Sequence, residues 1–195
     1  MCVSFDVAVR SDRIIQLPLG NLSTGSQLSL GTLVEGEIRS EPGVRSSSRF
    51  PQYMFADENL VQFEPALSGK VKYGYDYTTV DPNEFITRPD LTATIFPDDG
   101  STPIELTWTG IQYGNAELAS ITADPASSDK SLPYGSFYSI FNIVFRGGDA
   151  KYKDLQNYIY VGAEAVSGSD TPGEFLVGVK VMKVSTATMG ATSRP

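Results

Sequence analysis

Apolar and polar residues alternate with a period of two along most of the chain, the mark of strands that bury one face. Val71, Tyr73, Tyr75 and Tyr77 alternate with Lys72, Gly74, Asp76 and Thr78, which predicts a strand with the tyrosines on its buried side. Ile104, Leu106 and Trp108 alternate with Glu105, Thr107 and Thr109, and Phe175, Val177, Val179 and Val181 do the same near the end. Turn clusters separate these runs, among them Glu41-Pro42-Gly43, Asp81-Pro82-Asn83, Pro97-Asp98-Asp99-Gly100 and the stretch from Ser167 to Gly173. Roughly ten strands at this spacing predict an all-β sandwich or barrel.

Three segments depart from the alternation. Asp149–Asn157 reads as the one short helix, with Asp149 as its N-cap after Gly147-Gly148. Residues Asn115 to Pro133, rich in Ala, Ser, Asp and Pro, read as a long loop, either a flexible lid or an idle excursion. Phe137 to Phe145 is apolar on both faces, so both faces need cover, and a homodimer is the preferred cover for the outer one. The expected organisation is one barrel domain over residues 1–184 and a small, polar, disordered tail over 185–195.

Composition narrows the chemistry. The 195 residues contain no histidine, and the only cysteine is Cys2. A Ser-His-Asp triad, a Cys-His dyad, a zinc site and a redox dithiol are therefore excluded. Carboxylates, tyrosine, lysine and arginine remain as chemical groups, and no cofactor or metal is expected. A net charge of −8 disfavours nucleic acid and anionic membrane surfaces as partners. The first ten residues lack the pattern of a signal peptide, no apolar run is long enough for a spanning helix, and a cytoplasmic protein is expected. Asn21-Leu22-Ser23 matches a glycosylation sequon and reads as a turn.

Two stretches carry a family resemblance. Arg88 to Gly110 is a strand, an acidic Gly turn and a strand ending in glycine. Phe145 to Gly162 holds a phenylalanine, a short turn, Tyr152, Leu155, Asn157 and then Val161-Gly162. Together they resemble the domain of unknown function 3237 family, which implies a single calycin-like antiparallel β-barrel. Gln156 between Leu155 and Asn157 departs from that pattern. A narrower resemblance, to the small cofactor-free hetero-Diels–Alderases of fungal tropolone–sesquiterpene pathways, implies a cyclase.

Tyr73, Tyr75 and Tyr77 are the candidate catalytic residues: in a closed barrel one face of their strand points inward, and phenols can donate hydrogen bonds to a substrate carbonyl. The bland alternative is that they fill the core. Trp108, Tyr138 and Asn142 are candidate ligand contacts, against core packing for Trp108 and a structural hydrogen-bond network for Asn142. Arg88 and Asp90 flank Pro89 and suggest a local ion pair. Glu35 and Glu37 share a face with Arg39 and are expected to meet solvent. Asp98-Asp99 lacks the ligands of a calcium loop, and Ser127-Ser128-Asp129-Lys130 lacks the companion motifs of a Ser-x-x-Lys enzyme.

Three functions fit these residues. The first is a cofactor-free cyclase or isomerase of secondary metabolism acting on an apolar small molecule, with a (hetero-)Diels–Alder cycloaddition as one such reaction. The second is a lipocalin-like carrier that does no chemistry. The third is a structural or assembly protein built on the doubly apolar strand.

Overall fold

Alternation along the chain draws twelve strands into one antiparallel sheet that closes on itself in the computed structural model, which describes residues 3–11, 17–33, 35–40, 65–83, 85–123, 130–169 and 175–184. In chain order the strands are β1 (Val3–Ser11), β2 (Leu17–Asn21), β3 (Gln27–Leu33), β4 (Glu35–Ser40), β5 (Ser68–Val80) and β6 (Ile86–Arg88). There follow β7 (Asp90–Pro97), β8 (Ile104–Tyr113), β9 (Ser131–Leu132), β10 (Ser139–Arg146), β11 (Tyr160–Gly168) and β12 (Phe175–Lys183). Pairing runs β5–β4–β1–β12–β11–β10–β8–β7 and back to β5, a ring of eight strands. The fold is thus an all-β, calycin-like barrel.

Two breaks in strand continuity add β3 and β6 to these eight, and the short β9 pairs with β11. β3 and β4 are consecutive pieces opposite β5, with Leu33 facing Gly74 and Gly36 facing Val71. Likewise β6 and β7 lie between β5 and β8 and are parted at Pro89, which has no N–H to give to a ladder. β2 hangs on β3 outside the ring, joined by the turn at Leu22–Gly25 that the sequon occupies.

Inward positions fill most of the barrel. Ile38, Val71, Ala93, Ile95, Ile104, Leu106, Phe141, Ile143, Phe145, Val179 and Val181 are all at most 2 % exposed, in one continuous cluster. Removing one such aliphatic side chain from water contributes about 1.5–3 kcal/mol. Gly162 is glycine because a Cβ there would lie 2.5 Å from Ile143 and 2.9 Å from Val179. At one end, Tyr152 and Leu155 close the cluster. A separate apolar cluster of Leu118, Ile121, Leu132 and Val166, with Phe137 and Phe175 against it, closes the other.

The helices differ from expectation. The segment read as a loop after Asn115 contains the one α-helix of the described residues, α1 (Ala116–Ala123). Asn115 caps it: its side-chain oxygen accepts the Leu118 N–H at 2.7 Å. Its sequence carries no helical period because only Leu118 and Ile121 are buried. The expected helix from Asp149 is instead a 3-10 helix over Lys153–Asn157, and Asp149 accepts from Lys151 in a turn before it. The anticipated tail, 185–195, lies outside the described residues, as do Ser127, Ser128 and Asp129.

Candidate functional site

A β-bulge decides which side chains of β5 look into the barrel. Lys72 pairs with Thr94 but Tyr75 pairs with Thr92, so Tyr73 and Gly74 together face one residue, Ala93. Tyr73 takes a φ of 55°, in the left-handed region that side chains rarely adopt. The extra residue reverses the alternation beyond it. Val71 stays in the core, and Gly74 and Asp76 turn inward: Asp76 pairs with Leu91 of β7, a core residue, and with Gly31 of β3.

Tyr73, Tyr75 and Tyr77 consequently face outward, 69 %, 52 % and 48 % exposed. Their expected place inside the barrel is corrected. Tyr73 packs edge-on against Phe96 at 5.8 Å, and Tyr77 stands in an outer row with Leu30 and Leu17. Trp108 is buried and packs against Phe141, as a core residue does. Asn142 is exposed on the outer face of β10, and Tyr138, the residue before that strand, is exposed and edge-on to Tyr113 at 5.1 Å. The barrel wall therefore stands between Trp108 and the other two. Arg88 does not pair with Asp90; it makes two bonds to Asp81, at 2.9 and 2.8 Å. Glu37 meets solvent and binds Arg39 and Lys70 there.

The inward positions missed from the sequence form a polar layer between the two apolar clusters. Ser139 of β10 pairs with Gln112 of β8, and Ile140 pairs with Ala163, which makes Ser139 and Glu164 inward neighbours. Glu164 is 8 % exposed. Its Oε2 accepts from the Gln112 amide at 2.6 Å and from the Ser139 hydroxyl at 2.9 Å. Val179, its partner on β12, belongs to the main core, and Val166, two residues on, belongs to the cluster under α1. Across the barrel, Asp76 is partly buried and its Oδ1 accepts the Asp90 N–H at 3.1 Å.

Burial controls the electrostatics of this layer. Loss of water pushes Glu164 up to about 7, against the opposing hydrogen bonds from Ser139 and Gln112, with the Asp76 charge adding to the rise. Burial pushes Asp76 up to about 6, opposed by its bonds to Asp90 and Thr78. Among the described residues no Lys or Arg pairs with either carboxyl. By contrast, Asp99 at the other end accepts from Lys151, Ser101 and Tyr152 and is held far below the usual carboxylate range. That group pins the β7–β8 turn to the 3-10 helix. The layer of Glu164 and Asp76 instead keeps two carboxyls able to change charge near neutral pH without a histidine.

One sequence signal pointed to Glu164: it is the only charged residue in Tyr160–Gly168 and shares a face with Tyr160, Gly162 and Val166. Asp76 had none, since its face depends on the bulge. Among the described residues no three metal-ligating side chains converge, and no helix is long and apolar enough to cross a membrane.

Solved structures share this architecture. A conserved protein of unknown function from Rhodopseudomonas palustris matches with a TM-score of 0.60 and 18% identity, covering 93% of this chain and 98% of that one. A protein of unknown function from Clostridium acetobutylicum gives 0.58 and 16%, covering 93% and 99%. A β-barrel-like protein from Acinetobacter baumannii gives 0.59 and 17%, covering 94% and 96%. No curated protein matches the chain. The family of proteins of unknown function DUF3237 matches residues 3–184, nearly the whole length, and the chain belongs to it.

Proposed function

We propose that the chain is a cofactor-free isomerase or cyclase that holds an apolar small molecule at the α1 end of the barrel and transfers a proton through Glu164. The observation that carries this reading is the environment of Glu164: buried, facing inward, and held by two donors on one oxygen. With Oε2 occupied by Gln112 and Ser139, the proton resides on Oε1, the oxygen left for a ligand. A carboxylic acid that titrates near 7 delivers and recovers a proton at neutral pH. The apolar residues above and below the layer favour an uncharged ligand and exclude water. In a hetero-Diels–Alder reaction the same acid donates a hydrogen bond to the heterodiene oxygen, a role that the outward-facing Tyr73, Tyr75 and Tyr77 are not placed to fill. One such donor in a dry site contributes about 3–4 kcal/mol.

The test separates binding from chemistry. N-phenyl-1-naphthylamine, a neutral apolar fluorophore, reports occupancy, and a panel of neutral enolisable ketones and polyenes reports turnover. Glu164→Gln is expected to bind the fluorophore as wild type does and to lose about 10²–10⁴-fold in turnover. Saturable fluorophore binding with no turnover by wild type would establish a carrier instead.

A further inference from the structure

We propose that Asp76 is the second proton-transfer group of the same site, placed opposite Glu164, and that the substrate is an uncharged molecule protonated on one face while it loses a proton from the other. This inference rests on the reading of Glu164 above. Strand order sets the opposition. Going round the ring in either direction, β11 is the fourth strand from β5, so Asp76 and Glu164 stand on facing walls. Both point inward, since their partners Leu91 and Val179 are core residues. The bulge at Tyr73 is what brings Asp76 in, and Gly31 beside it offers no side chain to fill the space.

Hydrogen bonds hold both carboxyls: Thr78 joins the Asp90 N–H on Asp76, and Glu164 is held through one oxygen and leaves the other. Asp76 is fixed through Oδ1 by the Asp90 N–H, Glu164 through Oε2 by Gln112 and Ser139. The groups facing Asp76 are Asp90 and Thr78, and those facing Glu164 are Ser139, Gln112 and Asp76 itself. None is a cation, so both charges respond to burial and to each other. Glu164 is the more deeply buried of the two, which favours its neutral form and leaves the negative charge to Asp76, a base on β5 facing an acid on β11. In the step that follows, Glu164 Oε1–H gives its proton to a carbonyl oxygen or alkene carbon. The Asp76 carboxylate takes a proton from an adjacent C–H, and that C–H electron pair becomes the new double bond. Nothing is oxidised or reduced. The pair resets when the proton on Asp76 exchanges through solvent for one on Glu164. An anionic substrate would meet a second negative charge and is disfavoured.

Carboxyl-carbon NMR titration tests the shared site without any substrate. In Asp76→Asn the Glu164 midpoint is expected to fall by about half to one pH unit, as removal of a like charge across a barrel requires. Asp76→Ser, carried in parallel, covers disturbance of the bulge by the amide. An unchanged Glu164 midpoint in both variants overturns the inference. Hydrogen exchange beside the carbonyl of 2-tetralone in D2O then reads the chemistry, with fluorophore binding as the control. Wild type is expected to accelerate exchange, and Asp76→Asn and Glu164→Gln each to lose about 10²-fold or more. Loss in Glu164→Gln alone overturns the role of Asp76 and leaves that of Glu164. Exchange unaffected by either substitution overturns both.

Discussion

Glu164 sits in an apolar strand at a cost that pH should expose. Its folded-state pKa, near 7, lies above the ordinary 4.5, chiefly through burial. A carboxyl raised in this way favours the folded state while protonated. That contribution is whole below about pH 4.5 and is lost as pH rises through 7. Urea unfolding at pH 5 and pH 8.5 is expected to show Glu164→Gln gaining on wild type at the higher pH, by up to about 3 kcal/mol. An equal difference at both pH values would mean that Glu164 is not desolvated. Neighbouring positions in the bulge should respond unequally to substitution. Tyr73→Gly relieves a left-handed residue, about 1 kcal/mol, and loses a ring contact of similar size, so little net change is expected. Gly74→Ala would drive a Cβ to 2.6 Å from that of Leu33 and should cost about 1–3 kcal/mol in the same assay.

At the scale of elements, a single inserted residue separates what was legible from what was not. β8 and β12 obey strict alternation, so the inward Ile104, Leu106 and Trp108 and the inward Val179 and Val181 could be read directly. β5 shows the same surface pattern, Val71-x-Tyr73-x-Tyr75-x-Tyr77, yet its two halves face opposite ways. No composition rule marks the bulge, because a tyrosine occupies the left-handed position where glycine is usual. The candidate tyrosines went outward and an unremarked aspartate came in for that one reason. Glu164 was legible in principle as a lone charge in an apolar strand; its partners Gln112 and Ser139 required the register. α1 was hidden by its shortness and depends on its cap. Asn115→Ala should weaken it by about 1 kcal/mol. The Leu118 and Ala119 amides are then expected to exchange about fivefold faster while β8 and β10 are unchanged. Slowing or no change would show that packing on Val166 and Leu132, rather than the cap, holds the helix.

For the whole molecule, closing the ring leaves one demand of the sequence unanswered. The inner face of β10 is covered by the core, but its outer face is not: Tyr138 is 54 % and Ile140 42 % exposed. Ile111, which pairs with Ile140, and Tyr113, against Tyr138, extend the patch onto β8. From Thr107 to Tyr113 and from Tyr138 to Val144, the outward positions carry no charge, on a chain whose net charge is −8. Neutral ground on a repelling surface favours association there over elsewhere, and a two-fold pairing would set the patch against its own copy. A stable dimer needs about 800 Å² from each partner, more than these four side chains supply, so neighbouring β5 and β7 positions such as Tyr75 and Thr92 must join it. Sedimentation equilibrium is expected to give twice the 21.1 kDa chain mass for wild type and one chain mass for Ile140→Asp. Because Ile140 points away from the Glu164 layer, fluorophore binding should survive in the monomer. A wild-type monomer would leave the outer face of β10 to a different partner, and loss of binding on dissociation would place part of the ligand site at the interface.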